Sequence, residues 1–266
     1  MLLRFIRAQP LLAVLIVAAL AAVTVSGFEI ARLSAQPRKL DVPYVPTPQN
    51  VVEAMLKLAA PGPGDFLVDL GCGDGRIPIT AARTYGSRGL GIDINPLRIR
   101  EARIGAVKGH VTDKVEFVEG DLFKLDFSKA TILTLYLLPD VNFRLRPRIL
   151  DMRPGTRVVS HDFDMADWKP RKVETFGTYK RIFFWVVPAK VGGTWKVMVD
   201  GAELELRLEQ KFDDVSGTTS SGERVTGRLD GDRISLELTG AGGRRLAGRV
   251  SATGTMLGEG WRGQRL

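Results

Sequence analysis

Three glycines spaced two apart, Gly71, Gly73 and Gly75, follow the apolar stretch Phe66-Leu-Val-Asp-Leu70 and lead into Arg76. Glycine tolerates positive φ and lets a ligand lie against bare backbone, and a helix starting at Arg76 would offer that ligand free N–H groups. The pattern predicts a nucleotide-like ligand. A dinucleotide calls for Gly or Ala three positions after Gly73, where Arg76 stands, so the pyrophosphate form of the loop is broken. Asp69 and Asp74 would also repel a pyrophosphate, and they suit a ligand carrying a positive amino group and a sulfonium. Downstream, Asp93 and Asp121 each end a predicted strand. The first can accept hydrogen bonds from two ribose hydroxyls, the second from an adenine amino group.

Alternating strands and helices must carry these residues to one edge. FLVDL (66–70), GLGID (89–93), VEFVEGD (115–121), ATILTLYLL (130–138), TRVVSHD (156–162) and RIFFWVVP (181–188) read as strands. Between them lie amphipathic or charged helices over 76–85 and 96–108, and one between Val141 and Leu150. A further helix begins near Thr47-Pro48, with Thr47 as N-cap, Pro48 in the first helical position, and Val51, Val52, Met55, Leu56 and Leu58 following. Repeated βα units imply an α/β fold with a mostly parallel sheet covered on both faces.

Composition divides the chain further. Its 266 residues, 44% hydrophobic and 26% charged, fit two domains and exclude a disordered or polytopic membrane chain. From Ala8 to Phe28 there are 21 residues without a charge, the length of one membrane-spanning helix. A cleavable leader is the rival, because Arg4 and Arg7 precede the run, but no A-x-A site follows it. Half of the +8 net charge falls within residues 1–40, beside this segment, where anionic lipid would attract it; a nucleic-acid groove is not indicated. Residues 190–266 carry 15 of the 29 glycines and alternate apolar with polar side chains, as at Leu204, Leu206 and Leu208. Six or so antiparallel strands closed into a small barrel or sandwich are expected there. The expected boundaries are a membrane anchor over 1–31, a linker and substrate-side lead-in over 32–48, an α/β domain over 49–189 and a β domain over 190–266. One cysteine and two histidines leave no disulfide framework and little for metal ligation.

The glycine loop, the acid ending the second strand and the Gly120-Asp121-Leu122 step together resemble the class I S-adenosylmethionine-dependent methyltransferases, over roughly residues 42–188. A narrower set is similar to bacterial relatives of the mitochondrial lysine methyltransferases that modify the ATP synthase c-subunit and the adenine nucleotide translocase: Tyr44-Val-Pro-Thr-Pro48, VDLGCGDGR (68–76), DLF (121–123), YLLP (136–139) and Asp164 with Trp168-Lys-Pro170. The resemblance implies a seven-stranded Rossmann-like sheet and S-adenosylmethionine as cofactor. It places Asp69, Gly71, Gly73 and Gly75 around the methionine moiety, Asp93 at the ribose and Tyr44 and Thr47 at the mouth, and Cys72, Ile94, Asp121 and Leu122 count with them as cofactor-binding. The C-terminal β region has no counterpart in the mitochondrial enzymes.

Enzymes that methylate amide or adenine nitrogens place an Asn/Asp-Pro-Pro-Tyr/Phe step at the fourth strand. Tyr136-Leu-Leu-Pro-Asp140 stands here, which disfavours those acceptors. A lysine acceptor must lose its charge in an apolar channel or to a nearby base. Tyr44, Thr47, Tyr136, Leu138, Pro139 and Trp168 are the candidates to line such a channel, and no residue stands out as the base. His161-Asp162 is expected to be structural, Cys72 to pack under the loop, and Trp195 and Trp261 to close the β core. Arginines 144, 146, 148, 153 and 157 are expected on a solvated helix face. The function expected is transfer of methyl to a lysine of a membrane-associated protein, by a chain held in the bacterial inner membrane through its N-terminal helix with the catalytic domain in the cytoplasm. The alternatives are a lipophilic acceptor such as a quinone or lipid, or a non-catalytic cofactor-binding scaffold.

Overall fold

The computed structural model describes residues 43–176, 180–240 and 243–266. The apolar segment 8–28, read as membrane-spanning, lies outside them, and no helix among the described residues is long and apolar enough to cross a membrane. In chain order come α1 (Gln49–Ala59), β1 (Phe66–Leu70), α2 (Arg76–Tyr85), β2 (Arg88–Asp93), α3 (Pro96–Lys108) and β3 (Val115–Glu119). β4 (Ile132–Leu135), α4 (Pro139–Leu150), β5 (Arg157–His161), β6 (Lys172–Phe176) and β7 (Lys180–Val186) complete the α/β part. The seven strands stand in the order β3-β2-β1-β4-β5-β7-β6. β7 runs antiparallel to β5 and to β6, so the sheet is mixed at that edge. β6 is not evident in the sequence because its side chains are mostly exposed and its apolar content is low.

Side chains along each strand divide between two cores. Leu67, Ile132, Val159 and Ile182 pack with Val51, Val52, Met55 and Leu56 of α1 and Ile77 and Ala81 of α2. Val68, Leu70, Leu133, Leu135, Val158, Phe183 and Trp185 face the other way, onto Val141, Leu145 and Ile149 of α4. Full burial of each such Leu, Val or Met contributes roughly 1.5–3 kcal/mol. Parity therefore fixes which strand-end residues share a face. Asp69, Thr134 and His161 fall on the α1 side, in phase with Leu67, Ile132 and Val159.

α1 starts differently from the sequence expectation. Pro48 is the capping residue and no side chain caps the helix. The Thr47 hydroxyl is turned away from the helix, 3.3 Å from His161 Nδ1.

Residues 190–266 form β8 (Gly193–Val199), β9 (Ala202–Lys211), β10 (Asp214–Thr219), β11 (Arg224–Asp230), β12 (Arg233–Leu238), β13 (Arg244–Val250), β14 (Thr255–Gly258) and β15 (Trp261–Arg265). Each strand pairs antiparallel with the next, and β15 closes on β8. The result is a closed eight-stranded barrel rather than six or so strands. Two glycines lie inside strands: a Cβ on Gly217 would lie 2.1 Å from the Arg207 carbonyl oxygen, and one on Gly248 2.4 Å from that of Leu257. Glycine permits this close backbone approach. Trp195 and Trp261 fill the barrel core as expected, their indole N–H groups donating to the Val191 and Ala247 carbonyls.

Sheet and barrel belong to one compact unit, and Trp168 is central to their junction. It is only 1% exposed, packs on Trp185 and Phe212, and donates its indole N–H to Asp213 at 3.3 Å. Arg171 adds ion pairs to Asp213 and Asp230. Trp168 is thus a core residue and does not line a substrate channel; the sequence shows its aromatic character but not the barrel that covers it. Trp168→Ala should destabilise the protein by about 3–5 kcal/mol in urea unfolding. A loss below about 1 kcal/mol would contradict this assignment.

Candidate active site

The glycine loop follows β1 and is anchored to β2. The N–H groups of Gly71 and Cys72 donate to the Ile92 carbonyl at 2.8 and 3.0 Å. Gly71, Gly73 and Gly75 have φ of 76°, 54° and 77°, which strains any residue with a Cβ. Each is also close to a neighbour: a Cβ would meet Leu137 at 2.8 Å from Gly71, the Tyr44 ring at 2.5 Å from Gly73, and Phe117 at 2.6 Å from Gly75. Leu137, which the sequence pattern does not single out, is therefore the β4-end residue that touches the loop. Leu138 is half-buried against the α4 core, and Pro139 is exposed at the start of α4.

Asp93 sits at the end of β2 with a carboxylate that orders the loop. Its Oδ2 accepts the Gly73 N–H at 2.9 Å and its Oδ1 the Asn95 N–H at 2.8 Å. A carboxylate has about four lone-pair sites, so each oxygen keeps one for a diol. Ile94 beside it is half-buried. Asp121 Oδ1 accepts the Phe123 N–H at 2.8 Å, with Leu122 half-buried next to it. Arg148 secures this turn by donating to the carbonyls of Leu122, Phe123 and Leu125. The arginine run is thus largely structural rather than a solvated face. Arg146 donates to the Met165 carbonyl at 2.8 Å, Arg157 pairs with Asp65, and Arg144 stacks over Phe123.

The loop's acidity is only partly free. Asp74 is held by Arg76 through paired hydrogen bonds of 2.6–3.2 Å. Burial alone would raise the Asp74 pKa, but the Arg76 guanidinium, aided by the Tyr44 hydroxyl, holds it below the usual carboxylate range. Arg76 also donates to the Thr47 carbonyl at 2.8 Å, and Arg98 stacks over the Tyr44 ring at 4.3 Å. Two arginines therefore fasten the Tyr44–Thr47 segment over the loop. Asp69 is different. Burial pushes its carboxyl up to about 7, the Thr134 hydroxyl at 2.7 Å pulls down, and the charges of Asp93 and Asp74 push up again. Burial, then the Asp69 and Asp93 charges, push the Cys72 thiol well up, so it packs as a neutral group.

Beside the loop, the ends of β4 and β5 carry a second cluster. Tyr136 and His161 have ring centroids 4.0 Å apart, and the Tyr136 hydroxyl is 3.5 Å from Asp162 Oδ2. Of the residues singled out in the sequence, Tyr44, Thr47, Asp69, Gly71, Cys72, Gly73, Gly75 and Asp93 surround the loop, while Tyr136 stands at the cluster and Trp168 lies apart from both. Arg76, Leu137 and Asp162 join the site without having been expected there. For Asp162 the available signal was its place immediately beyond a strand that ends beside Tyr136.

Residues 69–172 match the ANTKMT methyltransferase domain. A protein-lysine N-methyltransferase of Saccharolobus islandicus is 47% identical over 134 residues, which is 50% of this chain and 83% of that protein. The chain belongs to the ANTKMT methyltransferase family. An ATP synthase c-subunit lysine N-methyltransferase of Xenopus laevis is 31% identical over 53% of this chain and 65% of its own length. A crystal structure described as an RNA methyltransferase from Salinibacter ruber, in complex with S-adenosyl-L-homocysteine, is 50% identical, covers 55% of this chain and 96% of that one, and superposes with a TM-score of 0.54.

The methyltransferase uses S-adenosylmethionine, which when bound supplies an electrophilic methyl on a sulfonium. The residues fit it: the three positive-φ glycines would form its cradle, Asp93 keeps acceptor sites for a diol, and Asp69, whose pKa stands at about 7, could ionise beside a cation. A cation near Asp69 favours its ionised form, so its pKa falls on binding and a proton is released below about pH 7. S-adenosylhomocysteine affinity by calorimetry should therefore rise with pH through about 7, with buffer-dependent heats reporting proton release. Asp69→Asn should abolish both. It should also stabilise the ligand-free protein at pH 8 by roughly 2 kcal/mol, because stability tied to a raised carboxyl pKa is full below the unfolded value and lost as pH rises through the folded one. A pH-independent wild-type affinity would contradict the assignment.

Proposed function

We propose that this methyltransferase transfers methyl to the ε-amine of a lysine in a membrane-associated protein. The observation that carries the reading is the 47% identity over 134 residues to a protein-lysine N-methyltransferase, beside a family match over 69–172 that holds the glycine loop and the Tyr136–Asp162 cluster. An aromatic ring beside a carboxylate suits an ammonium acceptor. Relatives described as acting on the ATP synthase c-subunit and on the adenine nucleotide translocase support a membrane target. The uncharged segment 8–28 supports a chain held at the bacterial inner membrane, and the cytosolic origin of the cofactor supports a cytoplasmic catalytic domain.

The Salinibacter relative's description favours a second reading, methylation of RNA. Residues 41–189, with 21 basic and 18 acidic side chains, offer little of the positive surface an RNA backbone requires. The test incubates the full chain with methyl-labelled cofactor, a membrane extract and total RNA. Label in protein, recovered as methyl-lysine after hydrolysis, is the expected result, with the chain sedimenting with membranes and a C-terminal reporter active in the cytoplasm. Label confined to RNA or to the organic phase would overturn the lysine reading, and an exterior reporter would overturn the topology.

A further inference from the structure

β5 ends in an unusual turn. Asp162 has φ of 61°, a left-handed conformation that costs a non-glycine residue roughly 1–2 kcal/mol. Two hydrogen bonds impose it: the Asp162 N–H donates to the Arg181 carbonyl at 2.7 Å, and the Phe163 N–H reaches back to the His161 carbonyl at 2.8 Å. The Arg181 N–H in turn donates to Asp162 Oδ1 at 2.9 Å. One carboxylate oxygen is thereby fixed. Among the described residues the other, Oδ2, has only long contacts, 3.5 Å to the Tyr136 hydroxyl and 3.4 Å to His161 Nε2, which leave most of its acceptor strength unused.

His161 explains how the arrangement is held. It is fully buried, its Nδ1 faces the Thr47 hydroxyl, and among the described residues its Nε2 has no hydrogen-bond partner. A buried, unsatisfied ring nitrogen costs about 1–3 kcal/mol, and here it stands 3.4 Å from Asp162 Oδ2. Burial lowers the His161 pKa, Asp162 opposes this and Lys180 of β7 adds to it, so the ring is neutral at physiological pH. The Asp162 side chain is 22% exposed and Tyr136 is half-buried, so both can be reached by a substrate. The register places them beside the cofactor loop, since Leu70 of β1 pairs with Leu135 of β4, and Leu135 pairs with Ser160 of β5.

The geometry points to Asp162 and Tyr136 as the pair that receives the acceptor amine, with His161 and Thr47 as positioning residues behind them. This rests on the lysine reading above. The ammonium donates to Asp162 Oδ2 and lies against the Tyr136 ring, combining a charge-assisted hydrogen bond with a cation–π contact. One proton leaves the ammonium for solvent along the partly exposed carboxylate. The freed nitrogen lone pair forms the new N–C bond as the S–C bond breaks, and the electron pair of that bond stays on sulfur.

Two histidines in the whole chain make the cluster directly observable. In the full chain labelled with 15N-histidine and saturated with S-adenosylhomocysteine, n-butylammonium should shift the His161 ring signals and leave those of exposed His110 unchanged; Asp162→Asn should abolish the shift. The same variant should lower label incorporation into lysine of a membrane extract by about 10–100-fold, as expected for loss of a charged hydrogen bond, with S-adenosylhomocysteine affinity within twofold of wild type. His161→Gln, which keeps a polar nitrogen, should retain most of the rate that His161→Leu loses. Unmoved His161 signals, or an Asp162→Asn rate within twofold of wild type, would overturn the assignment. Absence of methyl-lysine with wild-type protein would instead overturn the lysine reading, and the butylammonium shift would still decide whether the subsite takes an amine.

Discussion

Adjacent parallel strands β1 and β4 send the chain away in opposite directions, β1 through α2 to β2 and β4 through α4 to β5. In open α/β sheets the carboxyl ends of such strands border a crevice, and every feature of the site depends on it. The glycine loop and Asp93 stand on the β1–β2 side, and Tyr136 and Asp162 at the ends of β4 and β5. Cofactor cradle and acceptor cluster are thus brought side by side by strand order alone, and parity along the strands puts Asp69, Thr134 and His161 on the same face as Thr47. The Tyr44–Thr47 segment joins the two sides, because Arg76 holds its carbonyl from the loop and His161 faces its hydroxyl from β5.

Electrostatics divides the work among four carboxylates that look alike in the sequence. Asp74 is compensated by Arg76, and Asp93 is committed to ordering backbone N–H groups while keeping acceptor capacity. Asp69 is buried enough to hover near neutrality, so a cation can call up its charge when it binds. Asp162 holds one oxygen fixed and the other loosely contacted.

The features legible in the sequence are local ones. Positive-φ glycines, an acid closing β2 and the helices over 76–85 and 96–108 can be read from adjacent residues, and the α/β class follows from their alternation. What escaped is long-range. Thr47 looked like a helix cap because Thr-Pro before an apolar run is a strong local signal, yet its hydroxyl meets a residue 114 positions away. Leu138 and Leu137 are indistinguishable by type, and only the packing against Gly71 separates them. Trp168 is covered by Phe212 of the barrel part, more than forty residues on, and the arginines of α4 find backbone carbonyls in loops far along the chain.

The central claim is that the cofactor lies on the glycine loop with its reactive end toward the β4–β5 cluster. A crystal structure of the protein with S-adenosylhomocysteine tests it most directly. The account predicts the ribose hydroxyls on Asp93, the amino group toward Asp69 and the thioether sulfur facing Tyr136 and Asp162. A nucleoside bound away from Asp93, or a sulfur directed away from the ends of β4 and β5, would contradict it.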